Sequence, residues 1–83
     1  MYYLYVLKCA DGTLYTGITM DLKKRVMEHN TSNVLGARYT RSRRPVYLVY
    51  SKEAGDESAA KSEEYRFKQL SRAAKLALLK LKK

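Results

Sequence analysis

Aromatic and branched apolar residues run almost unbroken from Tyr2 to Cys9, which is the composition of a β-strand. Ala10-Asp11-Gly12 is a turn signal, and Thr13 to Ile18 returns as a second strand. Two hairpin registers fit this stretch. A two-residue Asp11-Gly12 loop pairs Lys8 with Tyr15 and leaves Tyr5 and Tyr15 on opposite faces. A three-residue loop ending in a left-handed Gly12 pairs Cys9 with Thr13 and Leu7 with Tyr15. Because strand side chains alternate, this second register gathers Tyr5, Leu7, Tyr15 and Gly17 on one face. It is preferred, since a site built from two tyrosines needs both on one side.

The period then changes. Met20 to Asn30 predicts a helix, with Thr19 or Asp21 as N-cap. Leu22, Arg25, Val26 and His29 share one face, which the two apolar residues turn toward the sheet, while Lys23, Lys24 and Glu28 point elsewhere. A guanidinium on that face needs a carboxylate partner or an incoming anion. Thr31 to Pro45 reads as an irregular basic connection, and Val46 to Ser51 as a third strand opened by a proline that cannot donate a ladder bond. Gly55, Asp56 and Ser58 open a second helix over about Ala59 to Leu70, where Glu64 stands between Ala60 and Phe67, with Glu63 near the edge of that face. Ser71 caps a last helix from Arg72 to about Leu81, ending in Lys80, Lys82 and Lys83. The order is β-β-α-β-α-α, and residues 1–83 read as one domain without repeats or linkers.

Composition adds a partner. Seventeen Lys and Arg against eight Asp and Glu give a net charge of +9, which favours an anionic partner, nucleic acid first. An acidic membrane surface ranks lower, because the basic residues are scattered and do not lie opposite one apolar face. Plain solubility is the bland reading of the same excess. No apolar run approaches the roughly 18 residues of a membrane span. The start lacks the pattern of a signal peptide. One cysteine, Cys9, makes neither an intrachain disulfide nor a cysteine-based zinc site, and its alternating position suits a small buried side chain in a reduced, cytoplasmic chain.

Two helices thus carry a lone charge on a face expected to be buried, Arg25 on the first and Glu64 on the second. If both pack on the sheet face bearing Tyr5 and Tyr15, the four residues converge. Phosphodiester cleavage wants this inventory: a carboxylate for a hydrated hard cation, a cation for the phosphate charge, and a hydroxyl to position water. The alternative is an internal Arg25–Glu64 ion pair among core tyrosines. Two-metal, zinc, serine-triad and phosphate-loop schemes lack the residues they need. His29 suits a proton carrier or phosphate donor, or else a histidine packed at a helix edge. Arg38, Arg41, Arg43 and Arg44 suit phosphate contact, with Tyr39 available for stacking, unless the segment is a solvated loop.

Tyr5-Val6-Leu7, Tyr15-Thr16-Gly17 and Arg25, eight residues after that glycine, resemble the signature of the GIY-YIG nuclease superfamily. Through Cys9 to Thr19, Gly36-Ala37-Arg38-Tyr39-Thr40 and Leu70-Ser71-Arg72-Ala73-Ala74-Lys75, the chain is similar to its small stand-alone bacterial members over nearly its whole length. The resemblance implies an α+β (α/β) fold, with a three-stranded antiparallel sheet flanked by helices. It implies an endonuclease dependent on Mg²⁺, with Mn²⁺ as a substitute, and no small-molecule cofactor. Tyr5 and Tyr15 would be the paired tyrosines, one of them acting as base or orienting the attacking water. Gly17 would allow close approach, Arg25 would contact the scissile phosphate, His29 would fill a polar position, and Glu64 would be the sole protein ligand of the metal. The expected substrate is nucleic acid, DNA before RNA. Oligomeric state is left open, a monomer being compatible. The late asparagine of several relatives is absent, the asparagines here being Asn30 and Asn33. The rival is a non-catalytic nucleic-acid-binding module, and a protein-interaction domain is disfavoured by charge. A free phenol ionises near pH 10, so a tyrosine base predicts a rate rising through the alkaline range, whereas tyrosines that only position water predict a flat one.

Overall fold

A computed structural model of the chain describes residues 1–81. The closing lysines Lys82 and Lys83 lie outside the described residues. Strands β1 (Tyr2–Lys8) and β2 (Leu14–Thr19) form the hairpin, with Leu7 paired to Tyr15 and Tyr5 to Gly17. Its loop has three residues. The Cys9 amide donates to the Thr13 carbonyl at 2.9 Å, the Gly12 amide donates to the Cys9 carbonyl at 2.9 Å, and Gly12 takes φ +85°. This is the register that brings Tyr5, Leu7, Tyr15 and Gly17 to one face.

Helix α1 (Leu22–Thr31) begins at Asp21, whose carboxylate accepts the Lys24 amide at 3.1 Å. The following connection, expected to be irregular, contains one helical turn, α2 (Arg38–Arg41). Strand β3 (Tyr47–Gly55) then pairs antiparallel with β1, giving the sheet order β2-β1-β3. It runs further than its apolar segment, because Lys52 and Glu53 at its far end are exposed and leave no apolar signal. Helix α3 (Glu57–Lys68) is capped by Asp56, which accepts the Ala59 amide at 2.8 Å, two residues before the expected start. Helix α4 (Arg72–Leu81) opens on Ser71, whose hydroxyl accepts the Ala74 amide at 3.1 Å.

One expectation is corrected. The two long helices do not share a sheet face. The central strand β1 buries both its faces, so each needs a cover. Leu4 and Val6 pack with Ala54, Ala60 and Phe67 beneath α3, while Tyr5, Leu7, Cys9 and Val46 pack with Tyr15, Leu22 and Val26 beneath α1. Cys9 is buried, as its alternation suggests.

The turn sets the register, and its demand falls on one residue. A Cβ at Gly12 meets nothing within 4 Å, so a side chain there strains only the backbone. Gly12→Ala should lower the unfolding free energy by about 1–2 kcal/mol, measured by urea titration. Unchanged stability would show that the turn does not need a left-handed residue.

Candidate active site

Tyr5 is the centre of the site. Its ring lies across Gly17, its partner on β2, and is 1% exposed. A Cβ at Gly17 would stand 2.5 Å from the Tyr5 hydroxyl oxygen and 2.7 Å from the ring carbon that bears it. Such contacts are far inside van der Waals range, so only glycine lets the phenol reach over the strand. At the far side the Tyr5 Oη lies 2.9 Å from Nε2 of His29, which α1 carries fully buried. Nδ1 of His29 is 2.8 Å from Oγ1 of Thr40, also fully buried, on α2. Tyr15 packs its edge against the same imidazole at 5.2 Å and stacks on Tyr39 at 5.8 Å.

Arg25 lies beside the Tyr5 hydroxyl and is partnered by its own helix and the connection after it: Nη1 donates to Glu28 at 3.0 Å and to the Leu35 carbonyl. The internal Arg25–Glu64 ion pair is therefore not formed. Glu28, expected to point away, instead turns its carboxylate to Arg25 because the two stand three residues apart on the helix. Glu64, carried by α3, pairs with Lys68 at 3.0 Å, and its charge reaches Tyr5. Its neighbour Glu63 is engaged by Lys52 at 3.2 Å and Arg66 at 2.7 Å. Of the two acids, Glu64 is the one whose field reaches the tyrosine.

The basic segment divides. Arg44 is spent on the C-terminal end of α1, donating to the His29 carbonyl at 2.6 Å, the Ser32 carbonyl at 2.7 Å and Asn33 at 3.1 Å. Arg43 donates to Asp11 at 3.0 Å and lies 4.0 Å over the Tyr39 ring. Arg38 and Arg41 are exposed and form no ion pair among the described residues. Asn30 ties α1 to the start of β3, exchanging bonds with the Val46 backbone at 2.8 and 3.0 Å. Thr40 and Glu28 are the site neighbours that the sequence did not single out. Thr40 carried no periodic signal, whereas the spacing of Glu28 from Arg25 offered one.

Burial sets the charge states. It pushes the Tyr5 phenol up to about 12, with Arg25 opposing and Tyr15 and Glu64 adding. Burial also pushes the His29 imidazole down to about 4, helped by Arg25 and Arg44 and opposed by Glu28. At neutral pH both groups are uncharged. An unfolded histidine takes its proton near pH 6.5 and the folded one near 4, so the stability His29 contributes is complete above 6.5 and is lost as pH falls toward 4. The loss is about 3 kcal/mol. In urea titrations the stability gap between wild type and His29→Gln should narrow by that amount from pH 7 to pH 4. A constant gap would mean that the imidazole is not held neutral.

Comparison with known proteins bears on this arrangement. Residues 1–77 match the family described as GIY-YIG catalytic domain. A UPF0213 protein of Desulfotalea psychrophila is 54% identical over 79 residues, covering 95% of this chain and 71% of that protein. A UPF0213 protein of Halobacterium salinarum is 51% identical over 78 residues, covering 94% and 99%. The solution NMR structure of a UPF0213 protein from Bacillus halodurans superposes with a TM-score of 0.61 at 41% identity, covering 99% of this chain and 86% of that one. The family match supports a nuclease-type role acting on nucleic acid, and nucleases of this family generally use a divalent metal. With a match over most of its length, and with relatives at about half identity, the chain belongs to the GIY-YIG catalytic-domain family.

Proposed function

We propose that this protein is a metal-dependent endonuclease that hydrolyses phosphodiester bonds of DNA, with Tyr5, Tyr15, Arg25, His29 and Glu64 around one site. The observation that carries the reading is the Tyr5 hydroxyl, held over Gly17 between the His29 imidazole and the Arg25 guanidinium. A phenol in the core needs one partner at most; this one has a ring nitrogen and a cation. Arg25, partly exposed, meets the scissile phosphate. Its charge there stabilises the oxyanion that develops on attack. Tyr5 donates its proton to Nε2 of His29 and turns a lone pair outward, so water donates to it. As water attacks, Tyr5 takes the water proton and passes its own to His29. The arriving phosphate offsets the Arg25 field that keeps the imidazole neutral. Tyr15, packed on the same imidazole, walls the site and fixes the ring. Arg38 and Arg41 meet flanking phosphates, while Arg43 and Arg44 hold the segment that presents them.

Glu64 is the candidate metal ligand. No group of three His, Cys, Asp or Glu stands ready to hold a metal among the described residues, and Glu28 is engaged by Arg25, which leaves Glu64 as the proposed ligand. That donor set fits Mg²⁺, or Mn²⁺, which keeps most of its waters and binds through one or two carboxylates. Such an ion supplies positive charge to a phosphate oxygen and to the departing oxygen.

Two expectations test the reading. Wild type, but not Glu64→Ala or Arg25→Ala, should cut plasmid, branched or single-stranded DNA with Mg²⁺, the variants losing about a hundredfold or more. EDTA should stop cutting and Mg²⁺ restore it. Equal residual cutting by all three proteins points to a contaminating nuclease, and binding without any cutting points to a binding module. Secondly, because Tyr5 hands its proton to His29 without prior ionisation, the rate should change little between about pH 7 and 9. A tenfold rise per pH unit would instead assign the base to a phenolate.

A further inference from the structure

The two nitrogens of a neutral imidazole play opposite parts, and which one carries the hydrogen is set by the partner of the other. His29 is the only histidine of the chain, and its ring is closed in by groups from four elements. Tyr5 of β1 and Tyr15 of β2 face it. On its own helix Arg25 and Glu28 act on it, and Arg44 acts from beyond α2. On the side away from Tyr5 the contact is Thr40. That residue is fully buried and neutral.

A threonine hydroxyl has one hydrogen to give. Thr40 Oγ1 stands 3.0 Å from the Ala37 carbonyl and 2.8 Å from Nδ1 of His29. Ala37 O has two lone pairs and takes both the Arg41 amide, at 3.1 Å, and the Thr40 hydroxyl. With its hydrogen so used, Thr40 faces Nδ1 as an acceptor, and Nδ1 must carry the ring hydrogen. Nε2 is then a bare lone pair. The opposite tautomer would turn the Thr40 hydroxyl onto Nδ1 at 2.8 Å, with the Ala37 amide beside it at 3.5 Å, the longest contact in the cluster, and would give up the 3.0 Å bond of Thr40 to the Ala37 carbonyl. It would also aim a second donor at Tyr5. Arg25 acts on that hydroxyl and can only offer donors, which favours a Tyr5 hydrogen turned to Nε2.

From this geometry we infer that Thr40 is a positioning residue: it holds His29 with hydrogen on Nδ1 and thereby turns the Tyr5 hydroxyl into an outward-facing acceptor for the attacking water. The inference rests on the nuclease reading for its consequence, but the tautomer itself is independent of it. Without the Thr40 oxygen, His29 is free to move its hydrogen to Nε2. Nε2 then donates to Tyr5, and the Tyr5 hydrogen is driven outward to where a water should donate. The phenol would still be present, in the same place, facing the wrong way.

One histidine gives one imidazole spectrum, so the test needs no assignment by mutation. Nitrogen-15 shifts of the ring, read through long-range proton correlations at pH 7, distinguish the two tautomers in wild type, Thr40→Ser and Thr40→Val. The expected result is hydrogen on Nδ1 in wild type and Thr40→Ser, and a shift toward hydrogen on Nε2 in Thr40→Val. Hydrogen on Nε2 in wild type, or an unchanged spectrum in Thr40→Val, overturns the inference. Should Thr40→Val fail to fold, wild type and Thr40→Ser decide it, since Thr40→Ser keeps the oxygen and must keep the tautomer. In cleavage assays Thr40→Val should lose about a hundredfold in kcat with KM little changed, and Thr40→Ser should recover most of it. Equal kcat in all three, with tautomers as expected, overturns the catalytic consequence. Absence of cutting by wild type defeats the nuclease reading alone, and the spectra still decide the role of Thr40.

Discussion

Everything in this small fold turns on placing one phenol flat across a neighbouring strand. Tyr5 needs no side chain opposite it, which fixes Gly17. It needs Gly17 to be its register partner, which fixes the three-residue loop and the left-handed Gly12. It needs a partner for a hydroxyl that water hardly reaches, which fixes His29 on the sheet-facing side of α1. His29 in turn has a second nitrogen to satisfy, which draws the connection after α1 inward as far as Thr40. A chain of single obligations thus runs from the hairpin turn to a helical turn some thirty residues later, each link a buried polar atom that must not be left unpaired.

The sheet separates two tasks. Under α3, the face with Leu4, Val6, Ala60 and Phe67 is apolar throughout and does the work of a core. Under α1 the face mixes Leu7, Val46 and Val26 with Tyr5, His29 and Thr40, so half of its interior is hydrogen-bonded. Buried polar networks of this kind tolerate few substitutions, because each loss leaves a partner unsatisfied. Placing the wholly apolar core on the other face leaves the α1 face room for buried polar groups. Arg44 shows the same economy: three bonds to the end of α1 fix the loop that carries α2, and with it Thr40.

The hairpin, the three longer helices and their order with the strands were legible because each rests on local rules: alternation, caps and turn residues. The caps at Asp21 and Ser71 were there to be read, and Gly12 selected its register through a need for two tyrosines on one face. What failed to show was which face each helix covers. The unbroken run Leu4-Tyr5-Val6-Leu7 signals a central strand buried on both sides, and that demands helices on both. The helix that carries Glu64 read as a cover for the Tyr5 face for want of this step. Thr40 was invisible for a different reason. Its partner is set by a fold of the connection that has no period, and a threonine among arginines looks solvated until the histidine across from it is seen.

The excess of positive charge also takes on a second meaning inside the site. Arg25 and Arg44 both disfavour a proton on His29, while Glu28 favours one. An apo site of this polarity keeps its imidazole neutral and its lone pair available across the whole neutral range. The same field attracts a phosphate, and a phosphate bound at Arg25 cancels part of it. On the mechanism proposed above, the phosphate that needs the base also makes it stronger, and only while it is bound. A basic surface thus attracts nucleic acid in general, whereas the buried pairings decide when a proton can move. That division explains why Arg43 and Arg44, adjacent in sequence to the exposed Arg38 and Arg41, are turned inward. Steering toward an anion needs only charge, but holding the loop that carries the partner of Nδ1 needs a guanidinium bonded to the backbone and side chain around it, as Arg44 is.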